Sequence, residues 1–374
     1  MRLTIHTLML SAVLACGSGS DGGNGNGDDA GGSGGIDAPV GTGADAAMTT
    51  DAAPKPDGIE GCNPENFTLQ QAPPPEVMLV IDRSGSMLEP GSTAGVTKWD
   101  ELEAAVDFVA NQFDASIHFG LLMYPTGGEC STSGPQVGVG ANNAGAVLYY
   151  ISGASPTGGT PTAAALVNAA SSMTSLGDPM SPKFVILATD GGPNCNYFLD
   201  SQPSCSCTYA SSPEYCCTAY PDSCVFGNTC LDDSGTLSVI DDLRTNDGID
   251  TFVIGLEGTA EYVDLLNAMA MSGGRPQAGS TSYYPASSQA QLQSALQAIA
   301  SSVISCTIDL GQAPQAPNDV RIWIDGRQVP RDPSDGWNYT DPTNTQIDLS
   351  GAACDTLRDG TEHVVTATFG CVVN

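Results

Sequence analysis

Glu76-Val77-Met78-Leu79-Val80-Ile81-Asp82-Arg83-Ser84-Gly85-Ser86 is the stretch from which the rest of the chain can be read. Five successive apolar residues, 77–81, leave no polar face, so this run suits a strand covered on both sides, as in a parallel sheet between two helix layers. It ends in an aspartate and two serines. A second run of the same kind, Phe184-Val185-Ile186-Leu187-Ala188, ends at Thr189-Asp190-Gly191-Gly192. Ligands of open α/β sheets bind outside the carboxyl ends of the strands, which is where both polar pieces fall.

Working outward, residues 98–113 carry Leu102, Ala105, Val106 and Val109 at spacings of three and four, the signature of an amphipathic helix. Residues 117–124 read as the next strand and 162–173 as an Ala-rich helix. Then follow a helix near 235–245, a strand at 251–256, a helix at 260–271, a short strand at 282–284 and a closing helix at 289–303. Strands alternating with helices predict an α/β fold, a doubly wound and mostly parallel sheet flanked by helices. After Cys306 the texture changes. Val320, Ile322 and Ile324 alternate with polar positions, Asp325-Gly326 suits a hairpin turn, and strands are expected near 346–349 and 363–369. The expected organisation is a doubly wound domain over 61–306 and a small, disulfide-containing β module over 307–374, with Trp323 and Trp337 in the module's core.

The chain has 374 residues, and its 42 acids against 11 Lys and Arg give a net charge of -31. Such a chain repels polyanions, which argues against nucleic acid as a partner. Of the three histidines, His6, His118 and His363, the first lies in an apparent leader, so histidine-based catalytic or zinc sites have little raw material. That leader is Arg2 followed by an apolar run over residues 3–15, too short to cross a bilayer and matched to an export signal. It ends Val13-Leu14-Ala15-Cys16, which resembles a bacterial lipobox and implies a lipid on Cys16, with Gly17 pointing to the outer membrane or cell surface. Residues 17–60 are Gly, Ser, Asp, Ala and Asn with few bulky apolar residues, a disordered linker with a reach of about 35 Å. An exported envelope protein is expected, held to the membrane through its lipid anchor only.

Thirteen cysteines less Cys16 leave twelve, an even number in an exported chain, which argues for disulfides. Cys195, Cys205, Cys207, Cys216, Cys217, Cys224 and Cys230 crowd one segment. Cys62, Cys130, Cys306, Cys354 and Cys371 are dispersed. An odd cluster must pair outside itself at least once; the expected bridges are Cys130 to a cluster member, Cys62 to Cys306, and Cys354 to Cys371. Zinc spacing, with paired C-x-x-C units, is absent.

Three separated pieces carry the chemistry: Asp82-x-Ser84-x-Ser86, Thr157-Gly158-Gly159-Thr160-Pro161, and Thr189-Asp190-Gly191. All their donors are oxygen, with no His or Cys, which selects a hard cation, and so small a donor set leaves a coordination position open. These motifs resemble the metal-ion-dependent adhesion site of the von Willebrand factor type A domain, over roughly residues 75–305. The resemblance implies hydroxyl ligation by Ser84, Ser86 and Thr160, with Asp82 and Asp190 binding directly or through water. It implies Mg²⁺, or Mn²⁺ or Ca²⁺, as the ion. The open position would take an Asp or Glu carboxylate from a protein ligand, or a matrix component. A second match, Asp232-Asp233-Ser234, lacks a preceding buried strand, and its Ser234 reads as a helix cap. Departing from the family is a cysteine-rich insertion over 192–233, entering directly after Asp190. Its Tyr197, Phe198, Tyr209, Tyr215, Tyr220 and Phe226 either shape partner choice or pack on the insertion's own disulfides. The expected function is non-enzymatic: a surface-tethered, metal-dependent adhesion or protein-binding protein. An envelope scaffold with a structural metal is the alternative. Residues 307–374 hold no nucleophile, base and orienter set, which argues against catalysis there.

Overall fold

The computed structural model describes residues 65–199, 206–208 and 229–370. In chain order the first elements are β1 (Glu65–Thr68), β2 (Gln70–Gln71), β3 (Glu76–Asp82), α1 (Lys98–Phe113), β4 (His118–Tyr124), β5 (Val137–Gly140) and α2 (Ala144–Ser152). There follow α3 (Thr162–Met173), β6 (Lys183–Thr189), α4 (Asp233–Thr245), β7 (Ile249–Leu256), α5 (Val263–Ser272), β8 (Tyr284–Ala286) and α6 (Gln289–Val303). The chain continues through β9 (Thr307–Asp309), β10 (Val320–Ile324), β11 (Arg327–Val329), β12 (Trp337–Tyr339), β13 (Gln346–Leu349), α7 (Ala352–Leu357) and β14 (Val365–Phe369).

The doubly wound sheet has the order β5-β4-β3-β6-β7-β8, parallel except for the edge strand β5. β3 is buried along its whole length, as its unbroken apolar run requires. Alternate residues serve opposite faces: Val77, Leu79 and Ile81 join a core with the apolar stripes of α1, α2 and α6, whereas Met78 and Val80 join one with α3, α4 and α5. The connection from β3 leads to β4 on one side and that from β6 leads to β7 on the other. The order of winding therefore reverses between β3 and β6, and a crevice opens at their carboxyl ends. The α1 helix begins beside this crevice with a reciprocal cap, in which Thr97 and Asp100 satisfy each other's backbone N–H.

Two four-stranded sheets, β1-β14-β10-β11 and β12-β13-β9-β2, form the second unit around Ile308, Ile322, Trp337, Ile347 and Val365. Trp337 lies in this core, as expected, whereas Trp323 is buried but does not belong to it. The segment containing β1 and β2 precedes the doubly wound domain, and the sequence grouped it with that domain. Its strands instead pair with β14 and β9, so the β unit is assembled from both ends of the chain. No local pattern announces pairings whose partners lie about 240 and about 300 positions apart.

Cys306 is bonded to Cys354, with Cα atoms 5.5 Å apart, which corrects both expected bridges involving these residues, Cys62–Cys306 and Cys354–Cys371. Cys306 immediately precedes β9 and Cys354 lies in α7, both within the β core, so the bridge fixes a short helix to its own core instead of joining the domain's ends. Cys62 and Cys371 lie outside the described residues, as do Cys16 and the leader and linker. Cys130 does pair with a cluster member, Cys195. Ser234 is not the cap of α4: Asp232 holds that position, and Ser234 lies inside the first turn, its N–H bonded to Asp233. The expected helix over 260–271 is divided into a 3-10 turn at Thr259–Tyr262 and α5, with Tyr262 at φ -113° and ψ 14° outside helical geometry; Gly258 at φ +105° and the bond from the Thr259 hydroxyl to the Leu256 carbonyl set where the 3-10 turn starts. The short strand runs two residues later than expected, from Tyr284. Ser282 is held instead by the Asn267 side chain.

Candidate metal centre

Asp82 closes β3 and Asp190 follows β6, so the reversal of winding brings their carboxylates to the same crevice. Asp82 is fully buried; its Oδ1 accepts the Ser84 N–H at 2.9 Å and its Oδ2 accepts the Thr189 hydroxyl at 2.6 Å. Ser84 precedes a 3-10 turn over Gly85–Leu88, and this turn swings Ser86 back over the crevice. The Ser84 and Ser86 hydroxyl oxygens are 3.0 Å apart, and Ser86 donates to Asp190 Oδ1 at 2.9 Å. Asp190 Oδ2 accepts a hydrogen bond from Lys98 Nζ at 2.9 Å.

Thr160 is presented by a separate loop that is tied to the serine loop through the backbone. Gly85 donates to the Gly158 carbonyl and Thr157 to the Arg83 carbonyl. Gly158 sits at φ +80°, and a Cβ there would stand 2.7 Å from the Glu129 carbonyl oxygen, so this turn demands glycine. Asn194 holds the far side: its Oδ1 accepts the Thr160 N–H at 2.7 Å, while its own N–H donates to the Thr160 carbonyl at 2.9 Å. All five residues expected from the sequence, Asp82, Ser84, Ser86, Thr160 and Asp190, border or underlie one crevice, and four of them line a cavity of about 520 Å³ together with Lys98 and Glu89.

The electrostatics are those of crowded carboxylates. Burial, reinforced by the charge of Asp190, pushes Asp82 up to about 7. Burial also raises Asp190, against the opposing pull of Lys98. Lys98 loses to burial but gains more from Asp190 and Glu89, and stays above its ordinary value. Of the two carboxylates withdrawn from water, only Asp190 is paired with an ammonium, that of Lys98, which it shares with the exposed Glu89, and the hydroxyls beside them carry no charge. A divalent ion fits this donor set: it would balance both carboxylates and accept the hydroxyl oxygens. Among the described residues no three His, Cys, Asp or Glu side chains converge as an anionic metal cage.

The far wall of the cavity comes from Glu261, Tyr262 and the cysteine-rich insertion, whose Gly192, Asn194 and Thr208 line it. The described parts of the insertion are held in place by the Cys130–Cys195 bridge, by a backbone bridge between Cys207 and Cys230, both of them disulfide-bonded, and by Asn196 donating to Asp232. Tyr197 and Phe198 are exposed, at 69% and 86%. Tyr209, Tyr215, Tyr220 and Phe226 lie outside the described residues. Lys98, Glu89 and Asn194 were not found by sequence reasoning. For Lys98 a signal existed: it is one of eleven basic residues in a chain of net charge -31, and it begins the helix that follows the first buried strand.

The family model of the von Willebrand factor type A domain matches residues 76–298, from the first residue of β3 into α6. No curated protein matches the chain. Among solved structures, it is similar to the pilus adhesin SpaC from Lactobacillus rhamnosus GG in its open conformation, at 15% identity over 81% of this chain and 40% of that one, with a TM-score of 0.46. It is also similar to the vWF domain of the type V pili tip protein Mfa5 from Porphyromonas gingivalis, at 14% identity over 63% of this chain and 96% of that one, with a TM-score of 0.41. For the manganese-loaded Plasmodium vivax TRAP protein the identity is 15%, over 63% of this chain and 76% of that one, with a TM-score of 0.42. The chain spans less than half the length of SpaC. With the match covering more than half of its length, and with the order of strands and the three polar loops in place, the chain belongs to the von Willebrand factor type A domain family.

Proposed function

We propose that this is a surface-tethered, non-enzymatic binding protein whose type A domain captures a protein ligand through a metal ion, Mg²⁺ or a similar divalent ion, held by Asp82, Ser84, Ser86, Thr160 and Asp190. The observation that carries this reading is the convergence of two buried carboxylates and three hydroxyl side chains on an open cavity at the point where the winding reverses. When bound, the ion supplies a Lewis-acidic position for an oxygen ligand, and neutral hydroxyl donors leave more of its charge available than a cage of carboxylates would. The chain's own residues do the rest. Thr189 and the Ser84 N–H orient Asp82, and Asn194 holds the loop of Thr160. The cavity beyond the ion admits a side chain from outside, and an Asp or Glu carboxylate suits it. Lipidation of Cys16 after export, with residues 17–60 as spacer, would place this domain at the cell surface.

Thermal unfolding in EDTA and then in about 10 mM Mg²⁺ or Mn²⁺, for the wild type and Asp82→Ala, tests the reading. With a millimolar dissociation constant the wild type gains about 1.4 kcal/mol by mass action and the variant gains nothing. Equal gains in the two proteins, or none in the wild type, overturn the assignment.

A further inference from the structure

Lys98 has no part in the expected ligand set, yet it lines the crevice. It is 5% exposed, and its ammonium donates to Asp190 Oδ2 at 2.9 Å and to Glu89 Oε2 at 2.8 Å. Its two partners differ. The Asp190 side chain has no solvent exposure, whereas that of Glu89 is 63% exposed. Room for the ammonium is provided by Gly258, where a Cβ would stand 2.9 Å from Nζ and whose φ of +105° suits only glycine. Nζ uses two of its three N–H bonds on these carboxylates, and Lys98 also lines the cavity.

Charge counting gives this lysine a role. A divalent ion between Asp82 and Asp190 makes a neutral assembly, to which the hydroxyls of Ser84, Ser86 and Thr160 add nothing. A neutral assembly attracts an anion less strongly than one with excess positive charge. Lys98 changes the sum to one excess positive charge. That charge is buried, where it is weakly screened, while the compensating charges of Glu89 and of Glu261 on the far wall sit at exposed side chains and are discounted accordingly. The same ammonium opposes the incoming ion, which it must share Asp190 with.

We propose that Lys98 is a specificity-determining residue of the centre: its ammonium supplies the excess positive charge that makes the loaded face select a carboxylate, and it lowers the affinity for the metal ion itself. This rests on the metal-binding reading above. The two effects have opposite signs on ion and ligand, which a residue that merely held Asp190 in place would not produce.

The test uses Mn²⁺, followed by water-proton relaxation, and acetate titrated into the Mn²⁺-loaded protein as the carboxylate probe. Lys98→Gln is expected to bind Mn²⁺ about threefold to tenfold more tightly and acetate about tenfold more weakly. Lys98→Arg, which keeps the charge, restores both constants towards wild type. Glu89→Gln, a change at an exposed side chain, tightens acetate about threefold at low salt, and it carries the test if Lys98→Gln does not fold. Unchanged acetate affinity in Lys98→Gln, or a parallel loss of Mn²⁺ and acetate, overturns the role of Lys98 and leaves the metal centre standing. A wild-type protein that binds no Mn²⁺ overturns both.

Discussion

His363 shows how much a single side chain can hold in an acidic protein. Its Nδ1 lies 2.7 Å from Asp325 Oδ2, beside the turn between β10 and β11, and its Nε2 lies 3.1 Å from Asp359 Oδ1, in the segment after α7. Burial alone would lower the imidazole, but the hydrogen bonds and charges of Asp325 and Asp359 outweigh it and lift the group above its ordinary 6.5. A folded-state value above the unfolded one means that these ion pairs stabilise fully below about pH 6.5 and are lost as the pH rises through the raised value. Thermal unfolding of the wild type and His363→Gln between about pH 5.5 and 9 should therefore show the widest gap at the acidic end, closing towards the alkaline end. A gap independent of pH would mean that neutral hydrogen bonds carry the contact. At the same scale, the candidate centre was only half legible. Asp82, Ser84, Ser86, Thr160 and Asp190 stand in short motifs at strand ends and can be read in order. Lys98 and Asn194 act through partners 92 and 34 positions away, and such proximity has no local signature.

Elements were legible where one periodicity and its stop signals agreed. The helices Lys98–Phe113, Thr162–Met173 and Gln289–Val303 fall where the apolar spacing places them, and two of the three carry side-chain caps from Thr97 and Ser288. The edge strand β5, whose sequence is Val-Gly-Val-Gly, and α2, whose first N–H is held by Asp114 from 30 positions away instead of by its own N-cap Asn143 and which leaves Tyr149 exposed, carry signals too weak to read. The loops between elements depend on the Cys130–Cys195 bridge. It joins the loop after β4 to the loop after β6, and the turn of Thr160 passes between them: Gly159 donates to the Glu129 carbonyl at 2.7 Å, and a Cβ on Gly159 would meet Cys195 Sγ at 2.8 Å. Opening a bridge that closes 65 residues costs about 4 kcal/mol in the chain-entropy treatment. Cys130→Ser/Cys195→Ser should show that loss in urea unfolding, together with a Mn²⁺ affinity lowered about threefold to tenfold, because the turn of Thr160 loses one wall. Reduced stability with an unchanged Mn²⁺ affinity would assign the bridge to the unfolded chain alone.

Across the whole molecule, the β unit completes itself only when the start of the described chain meets its end. β1 and β2 occupy one edge of each small sheet, against β14 and β9, and Leu69 between them enters the same core as Val365, Ala367 and Ile308. The unit also leans on the doubly wound domain. Arg358 donates to the Ile304 carbonyl, Ser301 to the Arg358 carbonyl, and Gln112 of α1 to the Asp359 carbonyl. The doubly wound sheet asks nothing of β1 and β2 in return, since its strands pair only with one another. A chain beginning at Pro73 should thus lose stability unevenly. β14 and β9, stripped of their neighbours, become open apolar edges prone to self-association. Their backbone amides should exchange with solvent far faster than in the full chain, while those of β3 and β6 stay protected and the response to Mn²⁺ persists. Hydrogen exchange read by mass spectrometry distinguishes the outcomes: protection retained in β14 and β9 would show that the strands contributed by the start of the chain are ornamental, and protection lost from β3 would show that the two units fold as one.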